Sequence, residues 1–284
     1  SLGTFYGFFS LSRHSFMTQI VPSEYRGKAF SRFGGINRIG WFFGPVIGGF
    51  TAGSIGIDIP FYIISIVALI TTILIFFTTE PTNENLIQSN EIKSPTFTET
   101  ILDNKKSFTI GGSGHFIMQF LRQCRHVLIP IWAFSIGLGV EELGLIQSIS
   151  AAIDMTLFYP VGLIMDKYGR KWTSVPSIIL LSLGFIFMTY VDSFNGLMLV
   201  GLLLGFANGL GSGAMLTLGS DLSPKNQPGS FLGIWRLFGW SGNSAGGPIS
   251  GAIAQTVGNT ASALSISMIG GIGVIIFRFL LPET

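Results

Sequence analysis

Charge is scarce in this chain: only 11% of its 284 residues are Asp, Glu, Lys or Arg, where a soluble globular domain carries about a quarter. So few charges cannot cover a water-facing surface of this size. Cysteine is nearly absent too, and the one present, Cys124, excludes an internal disulfide and any multi-cysteine metal site. In an apolar helix it reads as a small buried residue. The net charge is only +2 and the 16 Lys and Arg form no patch, so nothing points to nucleic acid. No HExxH, no paired carboxylates on one helix face, no Ser-His-Asp set and no phosphate loop occurs in a suitable setting. Enzyme, cofactor and metal are therefore not expected. GLGSGA at 209–214 has the glycines of a dinucleotide loop, but it lies in an apolar run with no strand before it.

Apolar length is what the chain does have. Hydrophobic residues make up 48% of it, and the mean hydropathy is +0.59. Nine stretches, at 1–21, 34–55, 58–79, 109–135, 143–165, 172–191, 196–219, 230–255 and 259–281, are predicted to span a bilayer, which takes about 20 residues. The first lacks the basic start and small-residue cleavage site of a signal peptide. The polar stretch 80–108 has no apolar periodicity and is expected to be a flexible tether. It separates 1–79 from 109–284 as two bundles. Lys and Arg gather in the loops 22–33, 80–108, 166–171 and 222–229, while the loops around Asp58, Glu141, Asp192 and Asn259 have none. By the positive-inside rule the first set is cytoplasmic and the protein is a multi-pass protein of the plasma membrane.

The chain also repeats itself. Pro22 and Gly27 correspond to Pro224 and Gly229, and Gly44-Pro45-Val46-Ile47-Gly48 corresponds to Gly247-Pro248-Ile249-Ser250-Gly251. The period is about 202 residues, with room for six spans between the copies, so both copies point the same way. Parallel repeats of six-helix halves are one way secondary transporters are built, with the substrate site at mid-membrane between the halves.

Three motifs then carry a family resemblance. Gly162, Asp166, Lys167, Gly169, Arg170 and Lys171 form a GxxxDKxGRK loop. Gly40, Gly44, Pro45, Gly48 and Gly49 form a glycine–proline pattern on one helix. Pro22 to Lys28 precedes that helix. The chain resembles the major facilitator superfamily over essentially its whole length, and the second motif is similar to that of the family's antiporters. The resemblance implies an all-α fold of two six-helix bundles, of which this chain holds helices four to twelve, the first three lying outside it. It implies that Asp166 sits near the start of the 34–55 helix, where it could pair with Arg38, and that Arg170 reaches Asp221. Together these would latch the two halves on the cytoplasmic side.

Ionisable residues inside the spans are expensive in lipid and mark cavities or partners. Arg13 and His14 lie inside the first span. At 100° per residue, His115, Gln119, Arg122 and His126 fall within about 60° of one face, with Arg125 beside them. Asp154 is near the middle of its span, with Gln147 and Ser150 on the same face. The resemblance places the first and fourth spans around the central cavity. Its arginines would suit a carboxylate or phosphate, unless Asp154 pairs with Arg122, Arg125 or Arg38; His115 and His126 are alternative proton carriers. Gly40, Gly44, Gly48 and Ala52, and again Gly201, Gly205, Gly209 and Gly213, recur every fourth residue and are expected to let helices approach closely.

The expected function is secondary active transport of a small solute by alternating access, as proton-coupled efflux of a drug or metabolite by a monomer in the bilayer. Uptake of an organic anion and a non-transporting membrane sensor are the alternatives.

Overall fold

A computed structural model describes residues 26–78, 96–224 and 228–281, with the side chains of 26–35, 37, 38 and 228 left aside. The predicted span 1–21, with Arg13 and His14, lies outside the described residues. Every described element is helical. In chain order these are α1 (Arg26–Ser54), α2 (Ile59–Thr78), α3 (Phe97–Asp103), α4 (Ser113–Ser135), α5 (Val140–Tyr168), α6 (Lys171–Met188), α7 (Phe194–Leu210), α8 (Ala214–Leu222), α9 (Pro228–Thr256) and α10 (Asn259–Ile275). Among the described residues, five segments are long and apolar enough to cross a membrane: α2, α5, α6, α7 with α8, and α10 with the turn that follows it. The helices α1, α4 and α9 reach 29, 23 and 29 residues, and their glycines, serines and arginines lower their apolar content.

Lipid explains the local chemistry. With no water available, a hydroxyl in an exposed helix must bond to its own backbone. On α2, which buries no residue, Thr71 Oγ1 donates to Val67 O at 2.7 Å, Thr72 Oγ1 to Ala68 O at 2.8 Å and Thr78 Oγ1 to Leu74 O at 2.6 Å. Helix ends outside the apolar zone are capped by side chains. Gly139 N donates to Glu142 Oε2 at 2.8 Å where α5 begins. Gly169, at φ 92°, ends that helix in a conformation that L side chains rarely adopt.

Three expectations need correction. The tether is helical over Phe97–Asp103, where the Glu99 carboxylate accepts from Thr96 N at 2.9 Å. It then runs through a π-helical turn at Phe108–Gly112 into α4. The predicted span 196–219 is two helices, because the chain breaks at 211–213 with Gly213 at φ 79°. The helix predicted from residue 34 begins at Arg26, so Arg38 lies three turns inside it.

The glycine rows act differently from each other. On α1, nothing described lies within 4 Å of a Cβ built at Gly40, Gly44 or Gly48. The neighbouring row makes the close approach instead: a Cβ on Gly49 would lie 2.7 Å from Val140 O, and one on Gly144 would meet Pro45 O. The contact sets α1 and α5 antiparallel. In that register the backbone of Arg38 is level with the stretch around Ala151, roughly 20 Å along α5 from Asp166 at 1.5 Å per residue; the Arg38 side chain, and with it the expected pair with Asp166, lies outside what is described. On α7 the expected row does pack. A Cβ on Gly201 would lie 2.8 Å from Ile146 Cγ2, one on Gly205 would meet Ser150 O, and one on Gly209 would lie 3.2 Å from Asp154 Cα. The helix α5 is thus clasped between small residues of α1 and of α7.

Within the core an aromatic stack joins the turn before α4 to α9. Phe108 stacks on Phe231 with centroids 4.6 Å apart, and Phe231 stacks on Trp235 at 6.2 Å. The two repeat-related helices α1 and α9 are both 29 residues long, with Pro45 and Pro248 at matching places inside them.

Candidate functional site

A cavity of ≈ 820 Å³ opens among α1, α4, α5, the α7–α8 break, α8 and α9. Its walls come from the middles of these helices. Trp41 and Pro45 are central in α1, Arg122 and Arg125 in α4, Asp154 in α5 and Asn243 in α9. A polar cavity at half the depth of an apolar bundle is the one place where such side chains are tolerable in lipid.

Two arginines dominate it. Arg125 is 5% exposed, and its Nη1 donates to Leu204 O at 3.2 Å. The Asp154 carboxylate of α5 is close enough to act on it electrostatically. Arg125 Nη2 lies 3.5 Å from His126 Nε2, and His126 stands against Trp41 of α1 with ring centroids 5.5 Å apart. This chain of contacts runs from α5 through α4 to α1. One turn away, Arg122 Nη1 donates to Gln119 Oε1 at 3.1 Å and Nη2 donates to Asn208 O at 3.4 Å.

Gln119, Arg122, Arg125, His126 and Asp154 therefore meet in one cavity, together with Gln147. His115 does not line it. Its Nδ1 lies 3.1 Å from Trp235 O, its ring stacks on Trp235 at 5.1 Å, and Gly239 leaves the space it fills. His115 shares the polar face of α4 but sits in its first turn, where that face passes over α9 rather than the cavity. The cavity also uses residues that sequence reasoning missed: Trp41, Gln123, Asn208, Ser212 and Asn243. An amide inside an otherwise apolar span was the available signal for Asn208 and Asn243.

On the loop side, Arg170 Nε lies 2.7 Å from Asp221 Oδ2, with the two side chains 20% and 29% exposed. The approach is off the N–H axis, so the contact is an ion pair rather than an aligned hydrogen bond. Arg170 Nη1 also donates to Met165 O at 3.3 Å. Asp166 and Lys167 are exposed, Lys167 Nζ lies 5.1 Å from the centre of the Tyr168 ring, and Lys171 is half-buried. Gly162 faces open space among the described residues.

A bundle of long apolar helices around a charged cavity marks a multi-pass membrane protein. The sequence model of the Major Facilitator Superfamily matches residues 1–121 and 111–284, and the chain belongs to that family, which consists of transporters rather than enzymes. It is 22% identical over 240 residues to an uncharacterised MFS-type transporter of Methanocaldococcus jannaschii, covering 82% of this chain and 61% of that protein. It is 29% identical over 157 residues to the multidrug resistance efflux pump PmrA of Streptococcus pneumoniae, covering 54% of this chain and 37% of the pump. Among solved structures, a POT family transporter in complex with a thioalcohol-conjugated peptide superposes with a TM-score of 0.50 at 15% identity, over 91% of this chain and 54% of that one. The chain thus spans less than two thirds of the length of each of these relatives.

Proposed function

We propose that the protein containing this chain is a proton-coupled exporter of a drug or metabolite, working by alternating access as a monomer in the plasma membrane. The observation that carries this reading is the mid-depth cavity, in which, among the described residues, one carboxylate, Asp154, faces two arginines. Similarity to an efflux pump over 157 residues supports the direction. In this reading the nine spans are helices four to twelve of a twelve-helix plan, 80–108 joins the two bundles on the cytoplasmic side, and Arg13 and His14 contribute to the wall from the first span. Gln119, Arg122, Arg125, His126 and Asp154 form the binding and coupling site. Protonation of Asp154 weakens its hold on Arg125 and changes what the cavity accepts. The pair Arg170–Asp221 ties α8 to the loop between α5 and α6 inside the second bundle and so steadies that loop, whose Asp166, Lys167 and Gly169 form the cytoplasmic latch to the first bundle. The row from Pro45 to Gly53 against α5 is the seam on which the bundles rock.

Uptake of an organic anion is the second reading, favoured by two arginines against one carboxylate in the cavity. Transport by the complete protein in proteoliposomes, with ethidium and benzoate as cationic and anionic probes and a pH gradient imposed or collapsed, separates the two. Gradient-driven movement of ethidium supports export, and movement of benzoate alone supports the second reading. Asp154→Asn is expected to abolish the acceleration by the gradient. If the variant keeps it in full, Asp154 is not the coupling group.

A further inference from the structure

A helix that stops inside a bilayer leaves its last carbonyls without donors from its own helix, and other protein groups or water in a cavity must supply them. The helix α7 stops at Leu210, and α8 restarts at Ala214. Gly209 O is taken within the break by Ser212 N at 2.9 Å, and two carbonyls before it are taken by other helices. Ala207 O accepts from Ser177 Oγ at 2.6 Å, and Asn208 O accepts from Arg122 Nη2 at 3.4 Å. One turn earlier Leu204 O accepts from Arg125 Nη1. The other arm of the Arg122 guanidinium is held on its own helix by Gln119 Oε1. A cation at this end also meets the negative pole of the α7 dipole. The fit is close: a Cβ on Gly211 would lie 2.5 Å from Ser177 Oγ and 2.7 Å from Arg122 Nη2.

Beyond the break, α8 has polar ties of its own, among them Thr217 Oγ1 donating to Met165 Sδ at 3.9 Å. Trp235 Nε1 donates to Met215 O at 2.8 Å, and Asp221 carries the ion pair with Arg170. Asn208, Ser212, Gly213 and Arg122 all face the cavity. The break is therefore both a piece of the cavity wall and the joint between the cavity and the cytoplasmic end of α8.

We propose that Arg122 is a positioning residue whose fork closes the broken end of α7 and holds the Gly211–Gly213 joint in place. An acceptor group on a cavity occupant competes with the Asn208 carbonyl for the same N–H. Drawing the guanidinium away frees the joint, and with it α8. Planarity is essential to this role, because one fixed fork reaches Gln119 and Asn208 at once, which a lysine ammonium cannot do in the same geometry. The purpose of the movement rests on the transporter reading. The movement itself does not, and the test needs no substrate, so the two fail separately.

The experiment places a thiol in the joint with Ser212→Cys in the complete protein, in native membrane vesicles, and follows its alkylation by N-ethylmaleimide. Cys124, fully buried with its thiol against Gly246 O, reports whether the bundle as a whole has loosened. Arg122→Lys keeps the charge and loses the fork. Gly211→Ala keeps the guanidinium and pushes it off Asn208. Both are expected to speed alkylation at 212 about tenfold, the scale on which one charge-assisted hydrogen bond moves an equilibrium, with Cys124 protected. If Arg122 matters only as a cation, Arg122→Lys is silent and Arg122→Gln slows alkylation, since a nearby positive charge favours the thiolate. That pattern overturns the proposal. So does alkylation of Cys124 in step with position 212, which would make Arg122 a general stabiliser, and so does no change in any variant.

Discussion

Gly205→Ala offers the sharpest test of how α5 and α7 are held together. The added methyl would fall on the Ser150 carbonyl oxygen, 2.7 Å from Ser150 Oγ and 3.0 Å from the Ser150 carbonyl carbon. Carbon atoms in good contact are about 3.5–4.0 Å apart. The obstacle is backbone, so no side-chain rotation relieves it, and the two helices must separate locally. Overpacking of this kind costs about 1–3 kcal/mol. Alanine regains up to about 1 kcal/mol of helix propensity over glycine. Subtracting that gain leaves a net loss of about 0–2 kcal/mol, or up to roughly 8 °C in melting temperature for a chain of this size, while a control glycine that takes the gain without the clash rises instead. The assay follows unfolding of the detergent-solubilised protein with a thiol-reactive dye, reporting on Cys124 as it leaves the core. Gly271→Ala on α10, where nothing lies within 4 Å of the new Cβ, is the matched control and is expected to be neutral or slightly stabilising. Adding Ser150→Ala to Gly205→Ala removes the hydroxyl but not the carbonyl, so the loss should persist. Equal melting temperatures for the two glycine variants, or full rescue by Ser150→Ala, would refute backbone-limited packing.

Two further expectations follow from the polar ties of α8. Trp235→Phe keeps the buried aromatic stack but deletes the indole donor to Met215 O, and is expected to lower stability by about 0.5–1.5 kcal/mol in the same unfolding assay. The Arg170–Asp221 pair is partly solvated, so a double-mutant cycle with Arg170→Gln and Asp221→Asn should return a coupling of about 1 kcal/mol or less. The proposed function needs this contact to be weak enough to change during alternating access; a coupling above about 3 kcal/mol, the scale of a buried pair, would identify a permanent structural bond instead.

Membrane crossing was legible because it depends on long sums: a span such as 58–79 stays apolar whatever the exact contacts of its residues, and α2 lies within a residue of that range. What needed three dimensions were the statements about single faces. The α1 glycines at 40, 44 and 48 repeat every fourth residue, but so do Pro45, Gly49 and Gly53, one position and about 100° further round. Only the path of α5 selects between the two rows. His115 and His126 share a face by the same arithmetic, yet a face is a line along the helix and meets different neighbours at different depths. The cavity lies at mid-depth, so His115 packs on Trp235 while His126 meets Trp41.

The break in the 196–219 span was written in Gly209, Gly211 and Gly213, although their spacing served equally as a packing row. Arg122 shows the deeper reason that the site was only half legible. A charged residue in a span announces that some acceptor lies nearby, and the eye looks for a carboxylate or a substrate. In this bundle the acceptors include Leu204 O and Asn208 O, and every residue carries a carbonyl, so no pattern of residue types marks them. What exposes them is the end of a helix, where carbonyls lose the donors of their own helix. A helix end inside the bilayer therefore has to be located before a buried arginine can be assigned to a ligand.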